Sequence, residues 1–63
     1  MERMMAIDPD IDRMARHLLA KHGARATAVA SERLDELKRR GDESTAAVWE
    51  EIVGVLRLRL RTP

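Results

Sequence analysis

The chain predicts an all-α fold of three short helices, and three observations carry that prediction. Apolar residues recur at steps of three and four through most of its length. Gly23 and Gly41 stand singly where those patterns break. Acids gather at the starts of the first and third patterns and cations at the ends of the second and third, as helix dipoles favour.

The first helix is predicted over residues 9–22. Asp8 suits the N-cap and Pro9 the first helical position, where a missing N–H costs nothing. Asp10 and Asp12 favour the positive end of the dipole. Ile11, Met14, Ala15, Leu18, Leu19 and His22 then share one face. Gly23 can take the left-handed conformation that closes the helix.

The second helix is predicted over 25–40. Its apolar stripe is narrow and built partly of small residues, Ala26, Ala30, Leu34 and Leu37, with Val29 and Arg33 on the flank. Small residues there let a neighbouring helix come close. Lys38, Arg39 and Arg40 complement the negative end of the dipole, and Gly41 suits the position after it.

The third helix is predicted over 43–60, with Asp42 as cap and Glu43 in the first turn. Ala46, Val48, Trp49, Ile52, Val53, Val55, Leu56 and Leu60 span an arc of roughly 180° at about 100° per residue. One packed neighbour needs an arc only somewhat over about 100°, so this helix should contact more than one. Gly54 lies on the opposite side, either as tolerated drift or as a point of close backbone approach. The closing VLRLRLRTP alternates with period two, yet a lone strand in a helical chain has no pairing partner. It reads better as the last turns of the third helix. Leu58 then points away from the core, and a packed monomer does not account for it.

Sixty-three residues make a single domain, 1–63, with 1–7 expected to be a flexible N-terminus. A core this small supplies only about 3–5 kcal/mol unless a disulfide, a metal or a partner subunit helps. The chain has no cysteine, which removes disulfides and thiolate metal sites. Trp49 is the single aromatic residue, so there is no stacking platform for single-stranded nucleic acid. Twelve basic and eleven acidic residues nearly cancel, so no strong overall field draws the chain to DNA or to an anionic membrane. No apolar run approaches the roughly 20 residues of a membrane span. The opening MERMMAIDPD lacks the apolar core of a signal peptide, and the expected location is cytoplasmic. Met4 and Met5 offer alternative starts to Met1.

The order His22-Gly23, then A-x-x-x-A-x-x-R-L-x-x-L from Ala26 to Leu37, then Gly41-Asp42, then W-x-x-I-x-x-x-L from Trp49 to Leu56 covers residues 11–60. It resembles a family of small, uncharacterised all-helical bacterial proteins of alphaproteobacterial type. The Gly-Asp pair ahead of Trp49 is its most specific part. The resemblance implies an all-helical fold and brings no established activity with it.

The residues offer little chemistry. His17 and His22 diverge by about 140° on one helix and cannot chelate an ion together. His22 reads as a capping or packing residue and His17 as an exposed one. Adjacent Glu50 and Glu51 diverge by about 100° and do not form a catalytic pair. Ser31, Ser44, Thr27 and Thr45 lack an activating His or Lys at a recognisable spacing. All three glycines stand singly, so no phosphate loop exists. No catalytic, cofactor or metal residue is assigned, and the chain does not read as an enzyme.

The expectation is a non-catalytic protein-interaction or regulatory module that self-associates, a dimer being favoured. Its interface would draw on Val48, Trp49, Ile52, Val55, Leu56 and Leu58 of the third helix. Arg33, flanking the second stripe, would form an ion pair with Glu50 or Glu51. One alternative is a nucleic-acid-associated regulator or antitoxin-like protein using Lys38, Arg39, Arg40, Arg57, Arg59 and Arg61, if folding joins those two clusters. Dipole compensation and nearby acids count against it. A further alternative is an adaptor subunit whose apolar face receives an unidentified protein.

Overall fold

A computed structural model describes residues 9–61. Helix α1 spans Pro9–His22, α2 Ala26–Arg39 and α3 Glu43–Arg61, with a short 3-10 turn at Gly23–Arg25 between the first two. The described residues are otherwise helix and turn, so the fold is all-α. The first helix has the expected bounds. The second starts one residue later and ends one earlier, because Gly23–Arg25 winds as a tighter turn. The expected Asp8 cap and the expected flexible stretch at 1–7 fall outside the described residues.

Both glycine turns use the left-handed backbone, with φ of 60° at Gly23 and 77° at Gly41. Only glycine adopts that region without a steric penalty. At Gly41 the backbone makes a Schellman closure. The Gly41 N–H donates to the Lys38 carbonyl at 3.1 Å and the Asp42 N–H to the Leu37 carbonyl at 3.0 Å. Asp42 also starts the next helix, its Oδ1 accepting the Thr45 N–H at 3.2 Å. One Gly-Asp pair thus ends α2 and caps α3, which turns the chain in very few residues. His22, by contrast, makes no side-chain capping bond to the 3-10 turn.

Helix α3 is the hub. Both α1 and α2 pack on it and touch each other much less. Its wide apolar arc therefore has its neighbours inside the same chain. Ala46, Ile52, Val53, Val55 and Leu56 are buried from α3, Ile11 and Ala15 from α1, and Ala26, Ala30 and Leu37 from α2. Leu18, Leu19, Leu34 and Trp49 close the cluster from its edges. The fully buried Ala26 and Ala30 bring the α2 backbone near α3, as the small stripe requires. Two residues of the expected arc stay exposed, Val48 and Leu60. At the Leu60 end the reason is length, since helices of 14 residues cover one of 19. The molecule is flat, with extents of 34 × 30 × 16 Å.

Candidate interaction site

The six residues expected at an interface divide into two groups. Ile52, Val55 and Leu56 are buried within the chain under α1 and α2, which corrects their assignment to a surface. The physical reason is the hub arrangement: the chain satisfies most of the arc itself. Val48 is 39% exposed, Leu58 is 57% exposed and Trp49 is half-buried, so these three remain at the surface.

Trp49 lies in an open groove between α1 and α3. Met14 and Leu18 line it with Trp49, and Arg13 and His17 border it, around a volume of about 310 Å³. Helical spacing puts Arg13, Met14, His17 and Leu18 on neighbouring turns of α1, so the groove is a property of that one face. His17 is exposed, as expected, and reaches the groove only at its rim. A second depression lies where α2 and α3 meet, lined by Lys38, Glu43, Ala46, Ala47 and Glu50.

The ion pairs differ from the expected set. Arg33 pairs with Glu36 on its own helix at 3.1 Å, instead of with Glu50 or Glu51. Lys38, nearer the Gly41 turn, meets Glu50 across α2 and α3 at 3.3 Å. Glu51 stands exposed on the outer side of α3. A pair absent from the sequence reading joins the start of α1 to the last turn of α3: Arg59 hydrogen-bonds and ion-pairs with Asp12, which also meets Arg16 at 3.3 Å. The Arg59 hydrogen bond holds the Asp12 carboxyl below its ordinary value of 3.8, helped by the charges of Arg59 and Arg16 and opposed by burial. Asp12 and Arg59 each read as a dipole partner of its own helix end, and nothing in local spacing joins residues 47 apart.

The two basic clusters do not come together. Lys38, Arg39 and Arg40 lie where α2 turns into α3, while Arg57, Arg59 and Arg61 lie at the far end of α3. From Glu43 to Arg57 the helix rises about 21 Å. Lys38 and Arg59 also carry carboxylate partners. Among the described residues no group of three or more His, Asp or Glu side chains could hold a metal ion. Thr27 Oγ1 is buried without a hydrogen-bond partner. Nor is any described helix long and apolar enough to cross a membrane. No protein-family model, curated protein or solved structure matches the chain.

Proposed function

We propose that this chain is a small non-catalytic protein-interaction module of the cytoplasm that works by self-association, a homodimer in the simplest case. The observation that supports this most is the apolar surface left after the chain has packed its own core. Met14, Val48, Leu58 and Leu60 are 37–57% exposed in a domain of 63 residues. Single exposed apolar residues are ordinary on any protein. Here, however, Val48 and Leu58 flank the covered Val55 along one edge of α3, and a core this small gains from a partner subunit. Sedimentation equilibrium over a wide concentration range tests the reading. The mass should rise from 7.2 kDa toward twice that value. A constant 7.2 kDa would sink it.

A second reading rests on the Trp49 groove. An adaptor would seat an apolar side chain of another protein between Met14, Leu18 and Trp49, with Arg13 meeting an acidic neighbour on that partner. In that case the free chain stays monomeric. The nucleic-acid reading loses support from the separation of the basic clusters. It would require affinity that falls steeply with added salt.

A further inference from the structure

The outer face of α3 carries an uninterrupted exposed strip. Ala47, Glu50, Glu51, Gly54, Arg57, Leu58 and Arg61 are all exposed, with Ala47 and Glu50 bordering the α2 side of the strip. At its centre, a Cβ built on Gly54 would meet nothing within 4 Å among the described residues. Ala47 and Gly54 form a low track along this face. On one edge of the track lie Glu51 and Leu58; on the other lie Glu50 and Arg57.

The charges along this helix are segregated. Glu43, Glu50 and Glu51 occupy its first half, and Arg57, Arg59 and Arg61 its end. The dipole explains such an arrangement only within the first and last turns. Glu50, Glu51 and Arg57 lie outside both. A parallel second helix would set Glu50 against Glu50 and Arg57 against Arg57. An antiparallel one sets opposite charges together.

We propose that a second copy of this chain docks antiparallel on the outer face of α3, the two helices crossing near Gly54. This rests on the self-association reading and names its surface. A two-fold axis at that point puts like edge against like edge. Residue 50 of one copy then lies within one residue, about 1.5 Å of rise, of the level of residue 57 in the other. Two symmetric Glu50–Arg57 contacts form on one edge, each added to the Lys38–Glu50 pair within a copy. On the other, Leu58 of each copy lies within about 1.5 Å of the level of Glu51 of its mate, whose aliphatic stem can cover it. The bare track at Ala47 and Gly54 lets the helices approach closely enough for these contacts, and it accounts for a glycine that the monomer does not need.

Light scattering and sedimentation of charge variants test the proposal, with circular dichroism to verify unchanged helicity. Arg57→Glu places two carboxylates together on each side of the axis and should weaken dimerisation by on the order of tenfold or more. Adding Glu50→Lys to Arg57→Glu should restore most of the loss. Since the native chain has no cysteine, Gly54→Cys gives an independent readout. Under mild oxidation it should form a dimer-linking disulfide far faster than Asp35→Cys, an exposed control on α2. A dimer indifferent to Arg57→Glu, or equal cross-linking of the two cysteine variants, overturns this face while self-association stands. A chain that remains monomeric at every concentration overturns both.

Discussion

The two faces of α3 are built from one sequence to opposite ends. The inner face buries Ala46, Ile52, Val53, Val55 and Leu56, and it meets two helices of its own chain. The outer face exposes Ala47, Glu51, Gly54 and Leu58, and meets none of them closely. Apolar residues occur on both, so hydrophobicity alone does not separate core from surface. Coverage by α1 and α2 does. Leu56 and Leu58 make the sharpest contrast, two leucines with a single residue between them, 0% and 57% exposed.

Truncating each leucine breaks the comparison most directly. Leu56→Ala should cost about 2–5 kcal/mol, the range for a buried leucine. That approaches the whole stability expected of so small a core, so the variant should be largely unfolded in a thermal melt followed by circular dichroism. Leu58→Ala, measured at concentrations where the chain is monomeric, should change stability by less than about 0.5 kcal/mol. Similar losses at both positions would mean that the outer face is covered within a single chain.

Trp49 sits between these extremes. As a half-buried residue at the α1 groove, Trp49→Ala should lower stability by about 2 kcal/mol, short of the roughly 3–5 kcal/mol lost at a fully buried aromatic. A chemical-denaturation midpoint that does not move would mean that Trp49 contributes nothing to holding α1 against α3. Gly54→Ala should act in the other direction. The added methyl meets nothing in the monomer and relieves the helix of its least favourable interior residue. The dilute chain should gain up to about 1 kcal/mol. A loss instead would place a backbone beside Gly54 even in the monomer.

The fold was legible because each helix boundary carries its own local chemistry. Pro9 starts α1, Gly23 and Gly41 require left-handed turns, and Asp42 caps α3. Such signals act over a few residues and survive without tertiary information. The width of the α3 arc was legible as well, but its meaning was not. An arc of about 180° demands two neighbours, and periodicity does not say whether they belong to the same chain. Ile52, Val55 and Leu56 were assigned to an interface for that reason, whereas α1 and α2 cover them. Ion pairing was less legible still. Arg33 has a carboxylate three residues away at Glu36, and this local pair displaced the long-range one expected with Glu50 or Glu51. Asp12 and Arg59 met across the fold with no periodic signal to announce it.

That last pair gives the smallest effect, and the only one that pH should reveal. Arg59 lowers the Asp12 carboxyl first through their hydrogen bond and then through its charge, with Arg16 adding to it. In the unfolded chain Asp12 returns to its ordinary value of 3.8. A carboxyl depressed on folding contributes stability that is complete above its unfolded value and disappears as pH falls through its folded one. Stability should therefore decline as pH drops from about 5 through the ordinary carboxylate range. Asp12→Asn should flatten that part of the decline without abolishing it, because the substitution removes one titrating group. Near neutral pH the variant should be slightly less stable than the native chain, and the two should converge in acid. Salt should narrow the difference, since both side chains are partly exposed. If the acid limbs of the two chains coincide in melts across this range, then the contact between the ends of α1 and α3 rests on Ile11, Ala15 and their apolar neighbours alone.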